Sequence, residues 1–299
     1  MKSINLSYLI CTYNRVNFLK ILLPKVIDNL QPDEEIVVVD GNSADGSKEY
    51  LQQLFNKGKI HQFISESDKN QAHGWNKALL MARGTIIKKL IDDDVPDFKA
   101  IRKCCDLMLA NTAIDICISN QLESKLTDPA IIEITGRLHQ YTQWKNGFVK
   151  SFTFSDVAML VRRSSLSFLG LYDTQFKMMD WEYSLRVSYL QAKIAYYTGY
   201  NSLAVDTPGN VTSTATRELR KFEGKIGKLK YSYAGDNANI SLFSNIKIWL
   251  GIIWHRLTPS KKSDILNIMP LDAELKNSYS FFYQKLDEYN NSGDFEFIY

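Results

Sequence analysis

Two periods of apolar and polar positions alternate over the first 120 residues. Leu6–Thr12 reads as a strand, and Phe18–Leu30 spaces its apolar residues as an amphipathic helix does. Glu35–Asp40 (EIVVVD) is an unbroken β-branched run, as expected for a strand covered on both faces of a parallel sheet. The turn GNSADGS follows and leads into a helix expected from Lys48 to Phe55. Ile60–Ile64 reads as a third strand and Gln71–Arg83 as a third helix, with Gly84 placed where a C′ glycine ends one. Thr85–Ile91 is a fourth strand, running into Asp92, Asp93 and Asp94. This order predicts an α/β fold with a doubly wound, mostly parallel sheet. Ligands bind such sheets beyond the carboxyl ends of the strands. TYNR, DGNS and DDD, which follow three of the strands, therefore converge on one edge.

Farther along, Ser151–Arg163 reads as strand-like, Asp180–Leu190 as a helix and Lys193–Tyr197 as a strand. After about Thr214 the alternation stops and the remainder reads as helical and rich in aromatics. The expected division is a main domain over 1–214 and a helical C-terminal extension over 215–299.

At 299 residues the chain is long enough for a substantial core, and 45% hydrophobic content excludes disorder for its bulk. A net charge of +3 argues against a dedicated nucleic-acid binder. The total hides an uneven distribution, because residues 215–262 carry 10 basic and 3 acidic groups and residues 263–299 carry 2 and 7. Cys11, Cys104, Cys105 and Cys117 form no C-x-x-C pair, so neither a disulfide framework nor a zinc site is expected. Asn5, Ser7 and Asn14 interrupt the opening apolar run, so no secretory signal is expected, and no stretch has the length to span a bilayer. A cytoplasmic location is the expectation.

Three successive carboxylates at a strand end repel one another and call for a cation. Oxygen ligands of this kind suit Mg²⁺ or Mn²⁺, with Asp92 and Asp94 forming a D-x-D pair. The competing reading is a solvated acidic turn. Asp40, followed by Gly41 and Asn42, fits either a base- or ribose-binding carboxylate or an Asx-turn.

ICTYNR, VVDGNSADGS, SESDKNQAHGWNKALLMARG and LIDDD together resemble the inverting glycosyltransferases of family 2, which share the GT-A fold. The resemblance covers roughly residues 4–190. It implies a nucleotide-sugar-binding half over 1–120 and an acceptor-binding half over 121–214. It places Thr12, Tyr13, Asn14 and Asp40 at the base and ribose, with Asp68 and Lys69 near the nucleotide. Asp92 and Asp93 fall on the donor, and Asp94 with Asp92 on the metal. MMDWEYSLRV resembles the family's catalytic element, which makes Asp180 the expected general base and Met179 a departure from the usual acid. Glu182 is the second candidate, although residues i and i+2 lie about 200° apart on a helix and Glu182 pairs more naturally with Arg186. Where relatives carry a histidine near the metal, Asp206 stands in AVDTPGNVTS as a further candidate ligand. His73 and His139 are expected to be surface or core residues.

The resemblance implies transfer from a nucleotide sugar, expected to be UDP-linked, to a glycan or lipid-linked acceptor, as in polysaccharide biosynthesis of a cell envelope. The absence of a Q-x-x-R-W signature after Asp180 points to transfer of a single sugar. The basic stretch Thr216–Lys230 could cover the diphosphate, touch anionic lipid or form a solvated face. Ile246–Leu257, with Trp249 and Trp254, suits an interfacial helix at the inner face of the plasma membrane or one packed on protein. The alternatives are a nucleotidyltransferase on a related sheet, disfavoured by TYNR where a glycine-rich loop belongs, and a non-catalytic partner that retains the fold.

Overall fold

The computed structural model describes residues 3–208, 217–233, 250 and 273–299. The expected boundary near 214 and, apart from Leu250, the segment Ile246–Leu257 lie outside these residues. Alternation in the first half yields β1 (Leu6–Thr12), α1 (Val16–Asn29), β2 (Glu34–Asp40), α2 (Ser47–Asn56), β3 (Gln62–Ser65), α3 (Gln71–Met81) and β4 (Ile86–Leu90). There follow β5 (Val95–Pro96), α4 (Phe98–Ala110), β6 (Ile116–Lys125), β7 (Asp128–Thr135) and α5 (Leu138–Lys145). The rest comprises β8 (Met159–Arg162), α6 (Leu166–Leu169), α7 (Met179–Tyr189), β9 (Ile194–Asp206), α8 (Arg217–Tyr231), α9 (Ala273–Asn291) and β10 (Phe297–Ile298).

The strands form one sheet in the order β10-β9-β6-β8-β4-β1-β2-β3, with β5 on β9 and β7 on β6. Strands β3, β2, β1 and β4 pair in parallel, as do β6 and β9. Strand β8 runs antiparallel between β4 and β6. Successive β2 side chains serve opposite faces, as the pleat requires. Val37 and Val39 pack with Trp75 and Ala78 of α3 and Tyr183 of α7. Ile36 and Val38 pack with Leu19 and Leu22 of α1 and Ile101 of α4. All seven β2 residues are buried, which explains the unbroken apolar run.

Three local readings need correction. Helix α3 ends at Met81 with Ala82 as its C-cap, so Gly84 is not a helix-ending glycine. A Cβ at Gly84 would come within 2.6 Å of the Ser7 backbone nitrogen, so glycine is needed there for close approach to β1. Strand β9 covers thirteen residues, well beyond Tyr197. The segment before Arg163 is strand only over Met159–Arg162, preceded by a 3-10 turn at Asp156–Ala158.

The C-terminal residues return to the sheet. Helix α9 buries Leu275, Tyr279 and Phe282 against Phe18, Val95 and Leu203, and β10 pairs with β9. No helix among the described residues is long and apolar enough to cross a membrane.

Candidate active site

The loops after β1, β2 and β4 meet as the topology requires. Thr12, the last residue of β1, donates its hydroxyl to Asp92 Oδ2 at 2.7 Å. Asn14 takes φ +53° and bridges to the next loop, its N–H donating to Ser43 Oγ at 2.7 Å and its Oδ1 accepting from Ala44 N at 2.8 Å. The Tyr13 ring is 51% exposed and lies on Gly41, where a Cβ would come within 3.2 Å of it. This leaves one aromatic face open at the sheet edge.

Asp40 is fully buried, and its carboxylate accepts from Ser43 N at 3.0 Å, from Ser65 Oγ at 2.6 Å and from Ser43 Oγ. In this form it ties β2, β3 and the intervening turn together, which is the Asx-type role weighed from the sequence. Asp68 pairs with Lys77 at 2.8 Å and lies 3.4 Å from His73 Nδ1, while Lys69 is exposed. A Cβ at Gly74 would come within 2.6 Å of Asp68 Oδ2, so this glycine lets α3 pass beneath the carboxylate. Asp68, Asp92 and Asp40 together with burial push the Cys11 thiol up, burial contributing most. Cys11 is therefore an inert thiol at the centre of the converging loops, not a nucleophile.

The aspartate turn is the most densely bonded part of the site. Asp93 accepts from Arg15 Nη2 at 2.8 Å and from the Thr207 hydroxyl, and Arg15 Nε lies 3.8 Å from Asp92 Oδ1. The Arg15 guanidinium also sits over the Phe18 ring at 4.8 Å. Asp94 Oδ1 accepts the Val205 N–H at 2.9 Å, which leaves Oδ2 for a further partner. From the C-terminal helix, Tyr279 donates its hydroxyl to the Asp93 carbonyl at 2.6 Å. Burial pushes the Asp92 carboxyl up to about 6, with Arg15 opposing and Asp93 adding to the rise. Asp94 is pushed well above the ordinary carboxylate range by burial and then by Asp93. Arg15 at Asp92 and Lys88 at Asp94 only partly offset burial, so both carboxyls remain raised.

Asp206 is exposed at the end of β9, and it is Thr207, one residue on, whose side chain reaches Asp93. Arg15, Thr207 and Tyr279 were not identified from the sequence. Arg15 had a signal, since it closes TYNR and an acidic turn needs a counter-charge. Thr207 and Tyr279 had none, lying 114 and 186 residues from Asp93.

The two carboxylates of α7 differ sharply. Glu182 is buried, accepting from Arg186 Nε at 2.9 Å and Nη2 at 3.0 Å and from the Tyr231 hydroxyl. Asp180 lies half-buried in the first turn, its carboxylate facing the backbone N–H groups of Asp180 and Trp181. Burial raises its pKa, Asp156 raises it further and Lys89 opposes. These two neighbours form an ion pair beneath it, with Tyr172 donating to Asp156 at 2.8 Å and Lys89 Nζ 4.4 Å from the centre of the Trp75 ring. The Trp75 indole N–H is buried without a partner among the described residues. Among the described residues, Glu182 is paired with Arg186, whereas no side-chain cation is within ion-pair distance of Asp180.

A family model described as Glycosyl transferase family 2 matches residues 7–170. No curated protein matches. Among solved structures, residues 1–349 of S. aureus TarS in complex with UDP-GlcNAc give a TM-score of 0.61 at 15% identity, covering 95% of this chain and 83% of that one. The chain covers 55% of the longer TarS structure. The mannosyltransferase PcManGT from Pyrobaculum calidifontis, in complex with GDP-Man and Mn2+, gives 0.56 at 16% identity over 97% and 84% of the two chains. At these identities the likeness is one of fold.

Proposed function

The chain belongs to glycosyltransferase family 2 and is a glycosyltransferase, and on that premise we propose that it transfers one sugar with inversion, using Asp180 as general base. The acceptor hydroxyl oxygen attacks the anomeric carbon in line as the bond from that carbon to the diphosphate breaks. The hydroxyl proton passes to Asp180, and the nucleoside diphosphate departs with the bonding electrons. The observation that carries this reading is the contrast on α7, where Glu182 is held by Arg186 and Tyr231 while Asp180 keeps a raised affinity for a proton.

Nucleotide binding is assigned to the loops of Thr12, Tyr13, Asn14 and Asp40, with Asp68 and Lys69 beside them and Asp92 and Asp93 on the donor. The open face of Tyr13 offers a surface on which a base can stack. Asp94, with a free carboxylate oxygen, and Asp92 are the residues that would hold Mg²⁺ or Mn²⁺. When bound, the ion neutralises charge on the departing diphosphate. No three His, Cys, Asp or Glu groups come together for a metal among the described residues. Two carboxylates suffice for such an ion, which draws its other oxygens from water and the diphosphate.

UDP is the nucleotide we propose, and TarS, which is described with UDP-GlcNAc, supports it. A donor screen that measures released nucleoside diphosphate, with Mn²⁺ and with chelator, tests the assignment. Release of UDP that stops on chelation is the expected result. Release of GDP alone would overturn the nucleotide, and chelator-insensitive release would overturn the metal.

We further propose peripheral contact of the 215–262 region with an anionic membrane, as suits a lipid-linked acceptor. Arg220, Lys221, Lys225 and Lys230 of α8 are exposed, and each basic group near an anionic surface contributes about 1 kcal/mol. Flotation with vesicles of phosphatidylglycerol, compared with phosphatidylcholine, is expected to carry the protein only with the anionic lipid and to weaken with salt. Equal flotation with both would exclude an electrostatic contact.

A further inference from the structure

The structure assigns to Glu223 of α8, which lies outside the stretch matching the family, the positioning of the helix that carries Asp180. This rests on the reading of Asp180 as the base. Helix α8 turns Glu223, Ile226, Gly227 and Tyr231 inward toward α7. The Glu223 carboxylate accepts the Lys177 N–H through Oε1 at 2.7 Å and the Met178 N–H through Oε2 at 2.8 Å. These two residues immediately precede α7, and Met178, its N-cap, makes no side-chain cap of its own.

A helix start without a capping oxygen leaves backbone donors to be satisfied from elsewhere. Glu223, from a second helix, takes the N–H of the N-cap residue Met178 and that of Lys177 before it, while the Asp180 carboxylate faces the N–H groups of the first turn, and the Glu223 negative charge lies at the positive end of α7. Asp180 is the second residue of α7, so the path of the backbone through 177 and 178 fixes the direction in which its carboxylate leaves the helix.

Other contacts hold α8 in register. A Cβ at Gly227 would overlap the Trp181 ring, so the two helices reach this separation only with glycine there. Tyr231 donates its hydroxyl to Glu182, and its carbonyl accepts from Ser151 Oγ at 2.8 Å. Helix α8 thus grips α7 ahead of its start, at Trp181 and at Glu182, and these contacts do not involve Asp92, Asp93 or Asp94. The outcome is a strap that sets the acceptor-activating group and leaves the donor loops alone.

Glu223→Ala in the full chain is expected to lower kcat about tenfold, since a misplacement near 1 Å can cost on the order of 100-fold. The donor KM and UDP affinity are expected to stay within about twofold, because the donor loops lie elsewhere. Amide exchange at Lys177 and Met178 is expected to quicken. Glu223→Gln keeps one accepting oxygen and is expected to recover part of kcat. Gly227→Ala keeps the carboxylate but moves α8 off Trp181, and the same split is expected. Loss of UDP affinity in step with kcat, or faster exchange with unchanged kcat, would overturn the positioning role. Turnover retained in Asp180→Asn removes the base reading itself, whereas its loss there, with kcat unchanged in Glu223→Ala, removes this inference alone.

Discussion

Asp180→Asn is expected to lower sugar transfer by about 100- to 10,000-fold, the range a positioned general base contributes. UDP affinity is expected to remain within about twofold, because Asp180 belongs to α7 and not to the loops after β1, β2 and β4 to which donor binding is assigned. The substitution keeps the shape and one oxygen for the first-turn N–H groups, and removes the negative charge and with it the ability to take a proton. A base must be ionised to act, so kcat falls as pH drops through the Asp180 pKa. Burial and then Asp156 raise that pKa, so the acid limb is expected above the ordinary carboxylate value of about 3.9. Asp156→Asn removes a charge that raises it and should move the limb to lower pH, while keeping an oxygen for the Tyr172 hydroxyl. Steady-state rates across pH, with calorimetry of UDP binding, check both statements. Full turnover in Asp180→Asn would place the base elsewhere.

Glu182 gives the contrasting phenotype. Its removal strands Arg186, which otherwise also holds the Leu169 and Leu171 carbonyls. Breaking one partner of a buried pair costs roughly 3 kcal/mol or more. A stability loss that lowers Tm and activity together is the mark of that role, and it separates Glu182 from Asp180.

The elements with one dominant period were legible in the sequence. Strand β1 has the bounds read from its apolar run, and α1, α2 and α7 begin and end within two residues of expectation. Strand β6 was not legible, because Ser119, Asn120 and Gln121 break its apolar pattern. Most of their polar groups find partners inside the sheet, as when Asn120 donates to the Thr198 carbonyl at 2.6 Å and accepts from the Tyr196 hydroxyl, although the Gln121 side-chain oxygen is buried without a partner among the described residues. Burial of such groups costs little only once the partners are in place, and one strand's sequence does not show its partners. The same limit hid the site's supports. Motif residues such as Thr12 and Asp92 follow strands and could be placed by topology. Thr207, Tyr279 and Glu223 act through partners far away in sequence, so no local pattern marks them, whereas Arg15 at least closes the TYNR motif.

The second large effect falls on the aspartate turn, where the choice of substitution decides what is learned. Asp94→Ala removes both the charge and the acceptor for the Val205 N–H, and a buried donor left unpaired costs about 1–3 kcal/mol. Weaker binding in that variant would mix a loosened β9 with a lost ligand. Asp94→Asn is cleaner, because its amide oxygen still accepts from Val205 while the negative charge and one metal-binding oxygen are gone. We expect Mn²⁺-dependent UDP affinity to fall about 100-fold, or about 2.8 kcal/mol at 1.4 kcal/mol per factor of ten. Tm without ligand should not fall, since burial and Asp93 oppose the Asp94 charge in the unliganded fold. Chelation of the unsubstituted protein should weaken UDP by a similar factor, and chelation of Asp94→Asn should add little. Calorimetry over these four states is a double-mutant cycle with the ion as one partner. Additive losses would mean that Asp94 and the ion act separately, and would remove Asp94 from the metal site.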